Sequence, residues 1–140
     1  MDGIRLLGIC CNWSPFACYN AAGMTGLKMP PDFQLIRVMC IGRINQAMIL
    51  RAFEFRADGV ILLECQDEDC RYGPGPEVGH QNVQRARRLF HLLGIDQERV
   101  VECSFGAHEK EALVSALWKF QKDMGGLGPM GTQIATRRKE

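Results

Sequence analysis

The sequence predicts an α/β fold with a four-stranded parallel sheet. Four short apolar runs alternate along the chain with segments whose apolar residues recur at helical spacing, a pattern typical of strands joined by helical crossovers. The chain has 140 residues, of which 46% are hydrophobic, and is therefore long enough to bury one core. We expect a single domain over residues 1–124. Residues 125–140 contain few large apolar side chains, which predicts a flexible or partner-docked tail.

The first half of the chain contains two predicted strands and two predicted helices. Residues 4–9 form a continuous apolar run, as in a strand buried on both faces. Pro15, with Ser14 before it as a cap, is typical of the first turn of a short helix or tight loop. Residues 33–39 are rich in Leu, Ile and Val and predict the second strand. Residues 44–56 have the apolar periodicity of an amphipathic helix.

The second half repeats this alternation. Residues 60–63 predict the third strand and residues 100–103 the fourth. Residues 66–79 are acidic and rich in Gly and Pro, which predicts a long functional loop. Apolar residues at helical spacing within residues 83–93 and 112–120 predict two more helices. Together these elements predict a small flavodoxin-like three-layer fold.

Charge and composition exclude several classes of protein. The 17 Lys and Arg residues nearly balance the 16 Asp and Glu residues, so the overall charge does not indicate a nucleic-acid or anionic-membrane partner. No apolar stretch approaches the roughly 20 residues that span a bilayer, and the first run lacks signal-peptide flanks. Seven cysteines are an odd number for a disulfide framework. We therefore expect a cytoplasmic protein whose thiols are reduced or bound to metal.

Six cysteines lie where the apolar runs end. They are Cys10 and Cys11 after the first run, Cys40 after the second, Cys65 and Cys70 after the third, and Cys103 after the fourth. Parallel strands joined by crossovers have all their carboxyl ends at one edge of the sheet, so these cysteines are expected to meet there. Thiolates favour iron–sulfur clusters, zinc or Cu(I). The pattern therefore predicts a metal site made of sulfur ligands.

The flavodoxin-like strand order selects four of these cysteines. In that order the first three strands are neighbours, which brings together the loops that follow them. The cysteines in those loops are Cys11, Cys40, Cys65 and Cys70. Cys11 is preferred to Cys10 because adjacent strand residues point to opposite faces. Cys10 and Cys103 are expected to be buried as small apolar residues, and the cysteine spacing matches neither common ferredoxin signature.

Two other interpretations of the cysteines stay open. Only the Cys65/Cys70 pair has the close spacing of zinc ligands, which would indicate a zinc-stabilised interaction module. Cys65 and Arg71 form a C-x5-R motif after a strand, as in a phosphatase-like or thiol-redox enzyme that uses Cys65. Three carboxylates between them would repel a phosphate and raise the thiol pKa. The three histidines are scattered along the chain and are expected to be surface or capping residues.

Four segments resemble the iron–sulfur delta subunit of methyl-viologen-reducing hydrogenase. They are CCNWSPFACYNAAG, IRVMCIGRIN, ADGVILLECQDEDCRYGPG and RARRLFHLLGI. The family has a cysteine motif after each of the first three strands. The corresponding segments of this chain are residues 11–14, 40–43 and 65–70. In the first motif Ser14 stands where the family often has a second cysteine, and a serine oxygen is a harder ligand than a thiolate.

The resemblance implies a non-catalytic electron-transfer subunit that carries a [2Fe–2S] cluster. Such a subunit relays electrons between a donor module and a heterodisulfide-reductase-A-like flavoprotein, in multi-subunit complexes that often perform flavin-based electron bifurcation. The implied cluster ligands are Cys11, Cys40, Cys65 and Cys70. Less favoured as ligands are Cys10, Ser14 and Cys18. The expected assembly is a hetero-oligomer without nucleic acid or direct membrane insertion.

Overall fold

The structure is a computed structural model that describes residues 4–30, 33–66, 70 and 72–130. In this part of the chain, strands and helices alternate. The strands are β1 (Leu6–Cys11), β2 (Phe33–Val38), β3 (Gly59–Glu64) and β4 (Val100–Ser104). The helices are α1 (Ser14–Met24), α2 (Gln46–Glu54), α3 (Gly75–Leu93) and α4 (Lys110–Leu127). Short 3-10 turns occupy Ile41–Arg43, after β2, and Gln97–Arg99, before β4.

All strand pairs are parallel, and the strand order is β2-β1-β3-β4. β1 lies in the interior of the sheet, with Leu6 opposite Phe33 of β2 and opposite Gly59 of β3. β4 pairs with the other side of β3, where Val100 is opposite Val60. The predicted flavodoxin-like fold with a four-stranded parallel sheet is confirmed. This order places the carboxyl ends of β1, β2 and β3 side by side.

Helices cover both faces of the sheet. α1 and α4 pack on one face, over an apolar cluster that contains Ile61, Leu63 and Leu117. α2 and α3 pack on the other face, over a cluster that contains Leu62 and Phe90. Successive residues of β3 therefore contribute to opposite clusters, and all six residues of this strand are buried. The three-layer arrangement explains why β3 is a continuous apolar run in the sequence.

Two proline-containing segments are more helical than their sequences predict. α1 has 11 residues, with Pro15 in its first turn, and Ser14 is its first residue rather than its cap. α3 begins at Gly75 and has Pro76 in its first turn, so the loop predicted over residues 66–79 is wrong from Gly75 onward. Proline is favourable in a first turn because it presets the helical φ and lacks an N–H that would have no partner there.

The ends of α2 and α3 follow standard capping rules. The side chain of Asn45 accepts a hydrogen bond from the backbone N–H of Met48 at 2.9 Å and so caps the start of α2. α2 is two residues shorter at each end than the predicted range, 44–56. α3 ends at Gly94, which has a left-handed φ of 72°. Among the described residues, no helix is both long and apolar enough to cross a membrane.

The last helix continues past the boundary predicted at residue 124. α4 extends to Leu127, and Met130 is buried in the cluster beneath α2 and α3. Local sequence does not predict this, because residues 125–130 include three glycines and a proline. Tertiary contacts hold Met130 instead. Residues 131–140, the remainder of the predicted tail, lie outside the described residues, and that part of the assignment stays a prediction.

A buried polar cluster joins the chain segments at the amino-terminal edge of the sheet. The Asp58 carboxylate accepts hydrogen bonds from the backbone N–H groups of Arg5 and Met130, each at 2.8 Å. The fully buried Arg99 donates from Nη1 to the Asp58 carbonyl at 2.8 Å. Burial lowers the pKa of Arg99, and the carboxylates of Asp96 and Asp58 oppose this shift. The cluster links the start of β3 to the start of β1 and to the segment after α4.

We predict that Asp58→Ala lowers the free energy of unfolding by about 2–4 kcal/mol, because two backbone N–H donors lose a charged acceptor. Asp58→Asn is expected to have a smaller effect, since one carbonyl oxygen remains. Urea unfolding followed by circular dichroism measures both changes. The control is Glu54→Ala, at an exposed position of α2, which is expected to change stability by less than about 0.5 kcal/mol. Equal effects of Asp58→Ala and Glu54→Ala would contradict the prediction.

Candidate metal centre

Four cysteines come together at the carboxyl edge of the sheet. Cys11 is the last residue of β1, Cys40 follows β2 by two residues, and Cys65 directly follows β3. Cys70 belongs to the loop between β3 and α3. Because β1 is flanked by β2 and β3, the three loops leave the sheet side by side. The fold therefore gathers cysteines that are up to 59 positions apart in the chain.

Cys11 and Cys65 form the first thiol pair. Their Sγ atoms are 3.1 Å apart, and both residues are buried. Two sulfur atoms bound to one tetrahedral metal at about 2.3 Å would lie about 3.8 Å apart. The pair would thus have to open by less than about 1 Å to share a metal ion. This separation is compatible with two ligands of the same ion.

Cys40 and Cys70 form the second thiol pair, which lies against the start of α3. Burial raises the pKa of the Cys40 thiol, and the neighbouring Cys70 thiol raises this pKa further. A Cβ atom at Gly75 would stand 2.5 Å from the Cys40 Sγ and 2.9 Å from the Cys70 Sγ. Both distances are too short for a carbon–sulfur contact, so a side chain at this position would displace the sulfur atoms. Glycine at position 75 is what allows this pair to form.

The two pairs adjoin each other. The Cys40 thiol interacts electrostatically with Cys65 as well as with Cys70, and the Cys11 thiol interacts with Cys40. Within the described ranges, no group of three or more His, Cys, Asp or Glu side chains is placed so as to hold a metal ion. The thiols are instead arranged as two neighbouring pairs.

Hydrogen bonds fix the first two cysteine loops to one another. The Trp13 indole N–H donates to the Met39 carbonyl at 3.0 Å, and the Asn12 backbone N–H donates to the Val38 carbonyl at 2.8 Å. The buried Asn82 of α3 donates from Nδ2 to the Ile44 carbonyl at 2.9 Å, next to the 3-10 turn that follows Cys40. The positions of Cys11 and Cys40 are therefore set by their neighbours and not only by their own loops.

Close backbone packing places the Cys40 loop against α3. A Cβ atom at Gly42 would be 3.2 Å from the Gly75 Cα and 3.3 Å from the Gly75 carbonyl oxygen. Neither Gly75 nor its contact with the thiols was predicted from the sequence. The signal for Gly75 is the GPGP run that begins three residues after Cys70, because glycine between prolines marks a place where little side chain is tolerated.

Burial raises the pKa of Cys11 and of Cys40. The pKa of Cys11 rises to about 12, mainly through burial and further through its contact with Cys65. Burial also raises the pKa of Cys40, and the neighbouring Cys70 adds to the shift. Backbone N–H groups of Trp13 and Gly42 donate to the Cys11 and Cys40 sulfur atoms and oppose these shifts in pKa. Without metal the Cys11 and Cys40 thiols therefore keep their protons at neutral pH, and a metal ion would displace them.

The other candidate ligands lie elsewhere. Cys10 is buried in the cluster beneath α1 and α4, and its Sγ is directed to the Cys11 carbonyl at 3.4 Å. Cys18 belongs to the same cluster, and its Sγ donates to the Gly106 carbonyl at 2.7 Å. Ser14 lines a cavity of about 760 Å³ between the loops that precede α1 and α4, and none of the seven cysteines lines it. Cys103, on β4, packs against the α1/α4 cluster.

The burial of Cys65 bears on the alternative of a Cys65-dependent enzyme. Cys65 is only 2% exposed and its sulfur contacts Cys11, so it is not presented to a substrate. Arg71, the second residue of the C-x5-R motif, lies outside the described residues.

His80, on α3, was expected to be a surface or capping residue, and its Nδ1 pairs with the Glu102 carboxylate on β4. That pair connects α3 to the middle of β4.

The chain is similar to one family over most of its length. The model for the family described as methyl-viologen-reducing hydrogenase, delta subunit, matches residues 6–128. The chain is 34% identical, over 89% of its length, to the iron-sulfur subunit of the F420-non-reducing hydrogenase vhc of Methanococcus voltae, and the match covers 87% of that protein. It is 31% identical, over 89% of its length, to the F420-non-reducing hydrogenase iron-sulfur subunit of Archaeoglobus profundus, of which 91% is covered.

A further relative is a much longer protein. The chain is 29% identical, over 89% of its length, to one subunit of the ferredoxin:CoB-CoM heterodisulfide reductase of Methanosarcina mazei. The match covers 16% of that protein. In this relative, a segment similar to the whole sheet-and-helix domain is therefore part of a larger polypeptide.

We predict that prolonged oxidation of the metal-free protein with diamide at alkaline pH joins Cys11 to Cys65 and Cys40 to Cys70. The sulfur atoms of the first pair are 3.1 Å apart, and those of the second pair both lie beside Gly75. Differential alkylation and mass spectrometry of proteolytic fragments identify the pairs. Cys11→Ser is expected to remove the first crosslink, whereas the control at the adjacent position, Cys10→Ser, is expected to keep it. A crosslink from Cys10 to Cys65 in place of the Cys11 crosslink would contradict the geometry.

Proposed function

Because the chain belongs to the family of methyl-viologen-reducing hydrogenase delta subunits, we propose that it is an electron-transfer subunit that carries a [2Fe–2S] cluster. The proposed ligands are Cys11, Cys40, Cys65 and Cys70. The observation that carries the proposal is the meeting of these four thiols, from three separate loops, at one edge of the sheet. The relatives named as iron-sulfur subunits support a cofactor of this chemical class.

The donor set fits a binuclear cluster. A [2Fe–2S] cluster takes four cysteine thiolates, two on each iron, and the thiols here form two adjoining pairs. Thiolate sulfur is a soft donor of the kind that selects iron–sulfur clusters. The absence of a side chain at Gly75 leaves the sulfur atoms of Cys40 and Cys70 unobstructed. A zinc module would require the four sulfur atoms to close around one ion, and the pairwise arrangement favours the cluster over it.

The chain itself would tune and shield the site. A bound cluster supplies one-electron transfer. The backbone N–H groups of Trp13 and Gly42 donate to the Cys11 and Cys40 sulfur atoms, and hydrogen bonds of this kind stabilise thiolates and help to set a reduction potential. Burial of Cys11 and Cys65 keeps water from half of the ligand set. The edge also carries the exposed side chains of Met39 and Tyr72, which are suited to contact a partner protein.

The proposed partners are a heterodisulfide-reductase-A-like flavoprotein and a separate electron-donor module. In the longer relative from Methanosarcina mazei, a segment similar to this chain is fused to the rest of a heterodisulfide reductase polypeptide. Fusion keeps two parts of a polypeptide at high effective concentration. The fused relative therefore supports an interaction between this chain and a separate heterodisulfide-reductase-A-like chain. We further propose that this hetero-oligomer is cytoplasmic and performs flavin-based electron bifurcation.

Anaerobic purification followed by iron and sulfide analysis tests the cluster. We expect about two iron and two sulfide per chain, and an electron paramagnetic resonance signal after reduction. Replacing any of the four proposed ligands with Ala is expected to abolish the signal, because one iron then lacks a thiolate. Cys103→Ala is the matched control and is expected to keep the signal. One colourless zinc per chain would support the interaction-module alternative, and turnover of a small substrate without iron would support the Cys65-dependent enzyme.

We predict that Gly75→Ala lowers the cluster content at least fivefold while the circular dichroism spectrum stays unchanged. The added Cβ would lie 2.5 Å from the Cys40 Sγ and force it away from its partner. Gly23→Ala is the control, since a Cβ there meets nothing within 4 Å and alanine is favourable in a helix. Full cluster content in Gly75→Ala would show that Cys40 and Cys70 do not need their present positions.

A further inference from the structure

An open groove of about 1000 Å³ lies on the face of the sheet covered by α2 and α3. We call it the β2–α2 groove, because β2 and α2 form its walls. Apolar side chains on its surface include Ile36, Met48 and Phe55. None of the four clustered cysteines lines it. It is therefore distinct from the candidate metal centre, and the inference drawn from it does not depend on the cluster.

The groove exists because the outer strand of the sheet is only partly covered. α2 has nine residues and directs Ile49 and Phe53 into the cluster shared with α3. β2, at the edge of the sheet, is left half-buried. Ile36 is 50% exposed, Met48 48% and Phe55 71%. In a three-layer fold this position, in the helical layer beside α2, is one that a further helix would cover.

The groove is also positively charged. Arg5, Arg51 and Arg56 line it, all three are exposed, and its described lining contains no carboxylate. Within the described parts of the chain, none of these guanidinium groups forms an ion pair. The guanidinium of Arg51 lies over the Phe55 ring, 5.3 Å from its centroid, which places a positive charge directly on the apolar surface.

The end of α2 places Arg56 at the groove. Arg56 has a φ of 73° and is the one described residue other than glycine with a positive φ. The position follows α2, where glycine is usual because a side chain costs about 1–2 kcal/mol in the left-handed region. Arg56 adopts this conformation as part of the cap of α2, in which its backbone N–H donates to the Phe53 carbonyl and the Ala57 N–H donates to the Ala52 carbonyl, each at 3.1 Å. The cap brings Arg56 to the lining of the groove.

Charge decides between the possible occupants. A second copy of the chain docking through the same groove would bring arginines against arginines, because such a symmetric contact pairs a surface with itself. Residues 131–140 of the chain carry three basic residues and one acidic residue, and are therefore poorly matched to the groove as well. A segment with an apolar stripe flanked by Asp or Glu matches both the exposed apolar side chains and the arginines of the groove.

We propose that the β2–α2 groove binds an acidic amphipathic helix of a partner protein. The apolar stripe of this helix packs on Ile36, Met48 and Phe55, and its carboxylates pair with the three arginines. Helix-in-groove docking of this kind buries an apolar face and uses charge to set orientation. The bound helix completes the helical layer over β2, on a face where electron transfer at the sheet edge is not obstructed.

The test uses two synthetic amphipathic peptides of about five helical turns. Both carry the same leucine stripe, flanked by Glu in one peptide and by Lys in the other. With the methionine methyl groups labelled, nuclear magnetic resonance follows Met48 in the groove and Met24, which is 81% exposed at the end of α1. We expect the acidic peptide to shift the Met48 signal and leave Met24 unchanged. The basic peptide is expected to shift neither.

Charge reversal supplies matched variants for the same binding measurement. Arg51→Glu is expected to weaken binding of the acidic peptide at least tenfold by fluorescence anisotropy. Arg88→Glu, on α3 outside the groove, is the control and is expected to change it less than twofold. Raising the salt concentration is expected to weaken binding to the unaltered protein.

Five outcomes would overturn the proposal. The first is no binding of the acidic peptide, the second is equal binding of the two peptides, and the third is equal effects of the two variants. The fourth is a change of the Met48 signal when residues 131–140 are deleted in the absence of peptide, which would make the chain's own segment the occupant. The fifth is a Met48 shift that grows with protein concentration, which would indicate a second copy. Loss of the iron signal in the cluster experiments would leave this proposal unaffected.

Discussion

The parallel pairing of β1 with both β2 and β3 is the constraint on which the candidate metal centre depends. Each strand ends at the same edge, and a cysteine lies at the end of each strand or in the loop that follows it. An antiparallel partner on either side of β1 would send one of these loops to the opposite edge. The site therefore needs no long ligand-bearing insertion. The apolar residues that build the sheet also bring Cys11, Cys40 and Cys65 together.

Glycines at one edge of the sheet and a buried polar cluster at the other position the loops that the strands bring together. At the carboxyl edge, Gly42 lets the Cys40 loop pack closely on the backbone of α3, and Gly75 leaves room for the sulfur atoms of Cys40 and Cys70. At the opposite edge, Asp58 and Arg99 satisfy backbone groups that would otherwise be buried without partners. One edge is thus arranged to present sulfur atoms, while the other closes the core. Both arrangements depend on contacts between distant parts of the chain.

The carboxyl edge of the sheet and the β2–α2 groove have different proposed functions. The carboxyl edge holds the thiols, with Met39 and Tyr72 exposed beside them, and a partner that exchanges electrons must come close to this edge. The β2–α2 groove lies along a face of the sheet and offers apolar contact with positive charge. A small protein that links two larger modules needs two such surfaces. Separation of the surfaces would allow one partner to stay bound while another approaches the thiols.

The sequence by itself determined the fold class and the family, because buried parallel strands are continuous apolar runs and cysteines mark where three of them end. The strand order was an assumption taken from the flavodoxin-like fold, and the structure has that order. It also indicated which four cysteines the fold would gather. Only the tertiary structure decided how these thiols pair, that Gly75 is needed beside Cys40 and Cys70, and that Met130 is held by Asp58. The groove beside Ile36 is equally a product of packing. Local sequence patterns specify strands and helices. The thiol pairs, the close contacts at Gly75 and the groove arise between residues that are far apart in the chain, and a single sequence does not record the distances between such residues.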